Sequence, residues 1–287
     1  MNQQNKYSPT WTEIIQPKRS LFDLRLKDVW NYKDLLFMFV KRDFVANYKQ
    51  TILGPLWFII QPVLTTLMFT VVFGNFAKIS TDGQPKILFY MAGVTIWNYF
   101  SDSFNRTSSV FTANASIFGK VYFPRLIVPL SIIVSGLIKF SIQFALFIGT
   151  LTYFLFKSNI SVHPNIYVLL TPLLLLLMAG LALGAGMIIS SMTTKYRDFT
   201  YLVTFGVTLL MYATPVIYPI AFLPIKYKSI VMANPLSGIV ETFRYAWLGS
   251  GTFSWQLLGY SSCFVIILLI LGIVIFNKVE KNFMDTV

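Results

Sequence analysis

Polar side chains recur at four-residue intervals within one long apolar stretch of the chain. They are Ser131, Ser135, Lys139 and Gln143. This spacing places them on one face of a helix, and an ionisable side chain at membrane depth is costly enough to need a partner. Lys139 could meet a carboxylate such as Asp102 or a phosphate in transit. A structural pair between two helices is the simpler interpretation, and we favour it.

Two more pairs of opposite charge are spaced for contact on a helix. Asp102 and Arg106 lie four residues apart and could pair with each other. Glu241 and Arg244 lie three apart, and two roles stay open for them. They could hold a helical hairpin at a dimer axis, or form a locally satisfied ion pair.

Two stripes of polar and aromatic side chains are candidate linings of a substrate path. A sugar polymer needs hydroxyl partners and flat aromatic faces, and 17% of the residues are aromatic. Alternatively, the aromatic residues mark membrane interfaces, and the threonines bond to their own helix backbone. The stripes are Trp57, Gln61, Thr65 and Met68 on one segment, and Tyr201, Thr204, Thr208 and Tyr212 on another.

Constellations of catalytic residues are missing from the sequence. The single histidine, His163, is too little for a metal cluster or a His-dependent triad. The carboxylates near membrane depth, Asp102 and Glu241, lie far apart, which disfavours a membrane-bound glycosyltransferase. Gly119-Lys120 lacks the upstream glycine of a phosphate-binding loop. We therefore expect a transporter subunit and not an enzyme, with no metal or cofactor of its own.

The composition is that of a membrane protein. Of the 287 residues, 55% are hydrophobic and 12% are charged, whereas a soluble domain carries about 25% charged residues. The net charge of +12 comes mostly from Lys and Arg placed before and between the apolar runs, which is typical of membrane topology. No basic helix stands outside these runs, so we exclude nucleic acid as a partner.

The order of segments predicts an all-α membrane protein with six transmembrane helices. A polar segment, 1–28, precedes a charged and aromatic helix at 29–51, which we expect to be amphipathic and to lie on the membrane surface. Asp43 falls on its apolar face and marks either a partner contact or a fraying end. The six-span domain covers 52–276, and a charged tail covers 277–287. The spans are predicted at 53–76, 87–108, 127–156, 166–192, 199–218 and 257–276.

Residues 219–251 do not fit a simple span. They are apolar but interrupted by Pro219, Pro224, Pro235 and several charges. Irregular backbone survives at membrane depth only inside protein or along a cavity. We therefore predict a re-entrant hairpin of two short helices between the fifth and sixth spans.

Small residues line one part of the fourth span. Gly180, Ala182, Gly184 and Gly186 let another helix approach closely. The approaching helix could belong to the same chain or to a second copy.

The distribution of charge predicts the orientation. Lys and Arg concentrate before residue 52 and in 114–125, 193–198 and 277–287, and are fewer in the alternate loops. The positive-inside rule therefore places both termini in the cytoplasm. An even number of spans agrees with this placement.

Several short motifs, in order along the chain, identify a family that the sequence resembles. It resembles the permease subunits of ABC exporters for lipid-linked polysaccharides, which export O-antigen, capsule or teichoic acid. The motifs are Leu53-Gly54-Pro55-Leu56-Trp57 with Gln61-Pro62; Lys120-Val121-Tyr122-Phe123-Pro124-Arg125 with Pro129; Tyr196-Arg197-Asp198; Thr214-Pro215-Val216-Ile217-Tyr218-Pro219 with Pro224; Asn234-Pro235-Leu236 with Glu241 and Arg244; and Glu280-Lys281-Asn282-Phe283-Met284-Asp285.

The resemblance implies a homodimer in the bacterial inner membrane, bound to two copies of a cytoplasmic ATPase that holds ATP and magnesium. The surface helix and the first inner loop would touch the ATPase, and the hairpin would sit at the outer mouth of the pore. The chain would contact membrane lipids and move an undecaprenyl-diphosphate-linked glycan outward. Residues implied at the ATPase contact are Lys41, Arg42, Ala115, Phe118 and Lys120.

Two other functions compete with this interpretation. An ion-coupled secondary carrier of a lipid-linked sugar would need acidic residues at a midplane site and shows internal repeats in many families. Only Asp102 is a candidate for such a site, and no repeat is visible. A membrane-bound glycosyltransferase lacks its acidic cluster.

Overall fold

The computed structural model describes residues 26–49, 51–121, 123–157, 162–196 and 198–282. Within these ranges the chain is helical and has no β-strand, as the predicted all-α class requires. Most of the predicted segment 1–28, the end of the tail 277–287, and the motif residues Tyr122 and Arg197 lie outside the described residues.

The helices follow one another with short connections. They are α1 (Leu26–Asn31), α2 (Lys33–Tyr48), α3 (Trp57–Phe69), α4 (Lys86–Ser108), α5 (Val110–Ala113), α6 (Ala115–Phe118), α7 (Ile127–Lys157), α8 (Thr171–Thr193), α9 (Phe199–Tyr212), α10 (Ile225–Ala233), α11 (Pro235–Leu248) and α12 (Trp255–Asn282). Short 3₁₀ turns occupy Gly54–Leu56, Ile166–Leu170 and Ile220–Phe222, and a π-helical segment, Thr70–Phe76, continues α3.

Four helical segments in the described ranges are long and apolar enough to cross a membrane. They are Gly54–Phe76, Ile127–Phe156, Ile166–Thr193 and Trp255–Val279. Each agrees with one of the predicted spans. The final helix continues to Asn282, so the first residues of the predicted tail are helical.

The helix in the predicted fifth span ends before the predicted span does. This helix, α9, ends at Tyr212 and has 14 residues, a rise of about 21 Å. The predicted span continues to Tyr218. The chain leaves the helix earlier because a residue before proline is disfavoured in the α conformation, and Thr214 precedes Pro215.

The predicted second span, α4, is the central helix of the fold. Most of its residues are buried, and it contacts α3, α7, α8, α9 and α11. Asp102 and Arg106 make it too polar for an isolated span. Polar side chains are tolerated at membrane depth where they face protein or a cavity, and a central position provides both.

Close backbone packing joins α8 to α12. A Cβ added to Gly184 would lie 2.8 Å from the Leu268 carbonyl oxygen, and one added to Gly272 would lie 2.6 Å from the Gly184 carbonyl oxygen. The two helices could not approach each other this closely with a larger residue at either position. The small-residue stripe at Gly184 therefore serves packing within one copy of the chain.

The predicted surface helix is broken in two and packs against the rest of the chain. A turn at Tyr32 separates α1 from α2. Phe39 and Val40 are buried, and Phe39 lies 5.7 Å from the Phe123 ring just before α7. Asp43 is also buried, with α2 continuing beyond it to Tyr48. The expectation of a fraying end at Asp43 is wrong, and the alternative, a partner contact, stays a prediction.

The hairpin segment contains the two helices that we predicted. α10 and α11 meet at Asn234, whose side chain accepts a hydrogen bond from the Leu236 amide. Pro235 occupies the first turn of α11, where its missing N–H costs nothing. Gly249 ends the helix with a φ of 73°, a conformation that favours glycine.

Candidate functional site

A polar cavity of about 380 Å³ lies between α3, α4 and α7. The lining residues of each helix include pairs three and four positions apart, which is the spacing of one helix face. The lining residues are Trp57, Phe58 and Gln61 from α3; Asn98, Tyr99, Ser101, Asp102 and Asn105 from α4; and Gly136, Lys139, Phe140 and Gln143 from α7.

An ion pair lies in the cavity wall. The Lys139 ammonium donates to the Asp102 carboxylate at 2.9 Å and lies 5.5 Å from the centre of the Phe58 ring. The Lys139 side chain is 15% exposed and that of Asp102 is 39% exposed. The predicted structural pair between two helices is confirmed, with both charges at the edge of an open space.

Amide and hydroxyl groups complete the wall. The Asn98 side-chain amide donates to the Gln143 carbonyl at 3.2 Å. The Tyr99 hydroxyl and the Asn105 carbonyl oxygen are buried without a hydrogen-bond partner in the described part of the chain. Buried polar groups in proteins are normally satisfied, and these two atoms are exceptions on residues that line the cavity.

The polar ridge on α7, which consists of Ser131, Ser135, Lys139 and Gln143, lies in two different environments. Lys139 and Gln143 face the cavity, whereas Ser131 donates to the Val128 carbonyl at 2.8 Å. Ser135 is buried, and its hydroxyl has no partner among the described residues. Only the second half of the ridge therefore lines an open space.

The predicted pair between Asp102 and Arg106 is wrong. Arg106 donates to Asp43 on α2 at 2.7 Å, and Asp43 also binds Arg42 at 2.8 Å. Asp102 lies one turn before Arg106 in α4 and forms its ion pair with Lys139. Tertiary contacts thus replace the local pair, because each charge meets a better-placed partner on another helix.

Glu241 and Arg244 form a fully buried pair, each with a side chain 1% exposed. The guanidinium donates to the Glu241 carboxylate at 2.9 Å. It also donates to the backbone carbonyls of Pro215 at 2.8 Å and Val216 at 3.0 Å, and lies 3.9 Å from the Phe89 ring centre. The local pairing is observed and ties α11 to α4 and to the end of α9, whereas a role at a dimer axis stays a prediction.

A loop carboxyl adds to the electrostatics of this buried pair. Asp82 precedes α4 in the connection from α3. Burial raises the pKa of Asp82 above its ordinary value, while the Arg244 guanidinium lowers it by a smaller amount. The loop and α11 therefore lie near each other, which places this connection on the same side of the fold as the hairpin.

The two predicted substrate stripes lie on different surfaces of the chain. Trp57 and Gln61 line the cavity, whereas Thr65 donates to the Gln61 carbonyl at 3.0 Å and Met68 is exposed. On α9, Tyr201 and Tyr212 are exposed away from the cavity, and the threonines bond to their own helix. Those bonds run from Thr204 to the Thr200 carbonyl and from Thr208 to the Thr204 carbonyl, both at 3.1 Å. A substrate path along both stripes stays a prediction.

Three of the residues implied at an ATPase contact, Arg42, Ala115 and Phe118, lie at one aromatic cluster, which consists of Phe39, Phe118 and Phe123. Phe118 is buried beside Phe123, with ring centres 5.9 Å apart, so its side chain belongs to the core and not to the surface. Ala115 is half-buried, and Lys41 and Lys120 are exposed. Arg42 is bound to Asp43.

Sequence reasoning missed the α4 side of the cavity. Asn98 and Asn105 lie four before and three after Asp102, so a helical repeat of polar residues could have revealed them. Phe58 and Tyr99 carry no comparable signal, because aromatic residues are common throughout the chain. In the described ranges, no three His, Cys, Asp or Glu side chains cluster to hold a metal.

Comparison with known proteins agrees with this architecture. The chain is 28% identical over 254 residues to the O-antigen export system permease protein RfbA of Klebsiella pneumoniae, an alignment covering 88% of this chain and 94% of that protein. It is 25% identical to the RfbA protein of Myxococcus xanthus, over 76% of this chain and 82% of the relative. It is 22% identical to the capsule polysaccharide export inner-membrane protein CtrC of Neisseria meningitidis, over 87% and 92%.

A family model described as ABC-2 type transporter matches residues 34–248. The matched region contains α2 through α11, and with them the cavity, the aromatic cluster and the buried Glu241–Arg244 pair. The chain therefore belongs to the ABC-2 type transporter family.

Proposed function

We propose that this chain is the membrane-spanning subunit of an ATP-driven exporter. Its substrate is a polysaccharide carried on undecaprenyl diphosphate, which it moves out of the cytoplasm across the inner membrane. The observation that carries this proposal is the near full-length alignment with permeases named for O-antigen and capsule polysaccharide export. Teichoic acid is a third glycan of the same class.

Deletion of the gene tests the proposal directly. The surface glycan should disappear, and the same glycan should accumulate inside the cell on its lipid carrier. Re-expression of the chain should reverse both effects. Unchanged surface glycan in the deletion strain would rule the proposal out.

Six spans with both termini in the cytoplasm form part of the proposal. The polar α4 supports this count, because its 23 residues rise about 34 Å and its residues Asp102 and Arg106 are paired with charges on neighbouring helices. α9 would be the fifth span, completed by the connection up to Tyr218. Reporter fusions at each terminus test the orientation, and an external terminus would contradict it.

The hairpin of α10 and α11 would be re-entrant and sit at the outer mouth. The burial of α11 against α4 and α12 supports a position of this helix inside the protein, where irregular backbone survives at membrane depth. Single cysteines introduced at the exposed residues Lys226 and Tyr227 should react with a membrane-impermeant reagent added outside intact cells. Reaction only after permeabilisation would place the hairpin on the cytoplasmic side.

A homodimer bound to two ATPase subunits completes the proposed assembly. α3 and α9 leave broad apolar faces uncovered, with Leu64 and Leu67 on one and Phe205 on the other. A second copy and the surrounding lipid could cover them. ATP and magnesium would be held by the ATPase, and no covalent step would fall to this chain. Native mass spectrometry of the purified complex gives the copy numbers.

Exposed lysines near the aromatic cluster are candidates for the ATPase contact. Replacing Lys41 and Lys120 together by glutamate should reduce co-purification of the ATPase, because the variant reverses two surface charges. Lys226→Glu on α10 is a matched control on an exposed part of a distant helix. Equal co-purification in both variants would exclude this surface.

A further inference from the structure

We propose that the cavity between α3, α4 and α7 is a binding subsite for one or two uncharged sugar units. The inference rests on the proposed function, since it assigns part of the glycan to a place on this chain. A volume of about 380 Å³ lies at the small end of the range for ligand pockets, about 300–1,000 Å³. Such a space suits a short piece of a glycan and not a folded polymer.

The first argument is the supply of hydrogen-bonding groups. Four primary amides, Gln61, Asn98, Asn105 and Gln143, line the cavity, and each can donate and accept. Sugar hydroxyl groups also donate and accept, so amides match them without a change of charge. Among these amides, Gln61 is exposed to the open space.

The second argument is the presence of polar groups in the lining that the protein itself does not satisfy. The Tyr99 hydroxyl and the side-chain carbonyl oxygen of Asn105 have no hydrogen-bond partner in the described structure, and both residues line the cavity. Buried polar groups in proteins are normally paired, so the cavity wall is polar beyond what its own packing requires.

The third argument is the charge of the wall. Lys139 is already bound to Asp102 at 2.9 Å, so the two formal charges cancel. A phosphate or diphosphate approaching Lys139 would also approach the Asp102 carboxylate, which is the more exposed of the two. Like charges that meet in this way repel. The cavity is therefore suited to a neutral group and not to the lipid-borne diphosphate.

The fourth argument is the pair of aromatic rings on α3. Trp57 and Phe58 form one side of the cavity, and Trp57 is exposed. Aromatic faces pack against the C–H surfaces of a sugar ring. Amides on one side and aromatic rings on the other provide both kinds of contact that a pyranose offers.

The test is a binding measurement on the purified full chain in lipid nanodiscs. The probes are neutral oligosaccharides released by mild acid from the surface glycan of the host, and inorganic pyrophosphate for comparison. Saturation-transfer NMR reports which probe contacts the protein, and a titration gives the dissociation constant. We expect the oligosaccharides to bind and pyrophosphate neither to bind nor to compete.

Matched variants locate the site. Gln61→Leu and Gln143→Leu should each weaken oligosaccharide binding about tenfold, the loss of about one hydrogen bond in a desolvated site. Trp57→Leu should also weaken binding. Gln256→Leu and Trp255→Leu, both exposed at the start of α12, are the controls and should bind like the unaltered chain.

Three results would overturn the inference. They are an absence of oligosaccharide binding, binding of pyrophosphate at the same residues, and equal weakening in the cavity and control variants. Gln61→Ala is a second variant for the case in which a leucine variant aggregates, because Gln61 is exposed and its truncation removes no core contact. Failure of the proposed function is seen separately, as surface glycan that persists in the deletion strain whatever the NMR result.

Discussion

Arg106 on α4 is bound to Asp43 on α2, with 2.7 Å between the guanidinium Nη2 and the carboxylate Oδ2. The Asp43 side chain is 7% exposed and also receives Arg42. This contact joins α2 to the central helix of the fold. One turn earlier in α4, Asp102 lines the polar cavity. The same helix therefore connects the proposed ATPase side of the chain to the proposed sugar subsite.

Replacing Asp43 by asparagine should loosen α2. Removing the carboxylate leaves the partly buried Arg106 guanidinium without its partner, at a cost of about 1–3 kcal/mol. Hydrogen exchange of α2 amides should rise and co-purification of the ATPase should fall. Asp34→Asn changes an exposed carboxylate on the same helix and is the control. Similar exchange in the two variants would show that the ion pair does not hold α2.

The ion pair in the cavity should show coupling in a double-mutant cycle. Asp102→Asn and Lys139→Gln each leave one charge unpaired, whereas the double variant removes both. Because Asp102 is 39% exposed, we expect a modest coupling of about 1 kcal/mol. Thermal unfolding of the four proteins in one detergent measures it. Strictly additive losses would mean that the pair adds no stability.

The stability of the protein should depend far more on the buried Glu241–Arg244 pair in α11 than on the ion pair in the cavity. Glu241→Gln leaves the Arg244 charge buried and uncompensated, and breaking such a pair costs about 3–5 kcal/mol. We expect low expression and a large drop in the unfolding temperature. Asp198→Asn, an exposed carboxylate before α9, should have little effect. A Glu241→Gln protein as stable as that control would contradict the described environment of Arg244.

Two glycine-to-alanine substitutions should differ sharply in their effect on the unfolding temperature. Gly184→Ala places a Cβ 2.8 Å from the Leu268 carbonyl oxygen, so α8 and α12 must move apart. A Cβ on Gly149 meets nothing within 4 Å, and Gly149→Ala should be neutral or slightly stabilising because alanine favours the helix. Unfolding temperatures compare the two. Equal stability would show that the α8–α12 contact is not tight at Gly184.

Much of the architecture could be read from local patterns. Long apolar runs predict four of the membrane helices, because lipid tolerates few charges along a span. Asn234-Pro235 and Gly249 mark the ends of α11 through capping and backbone preferences that act over a few residues. The four-residue repeat of polar positions on α7 likewise placed Lys139 on a face with Gln143.

Other features were beyond a local reading. The expected Asp102–Arg106 pair gave way to partners from α7 and α2, and Phe118 entered the aromatic core instead of a contact surface. Helical spacing shows which residues share a face. It does not show which neighbouring helix that face meets.

The sequence by itself determined that this protein lies in a lipid bilayer and which four helical segments are apolar enough to cross it. Hydropathy and helix-end signals act within a short stretch of chain, so they can be read without the fold. Only the tertiary structure decided which charges pair and which polar faces enclose the cavity. Those choices depend on the packing of α2, α3, α4 and α7 against one another. Residues such as Asp43 and Arg106, or Gln61 and Gln143, are brought together from distant parts of the chain.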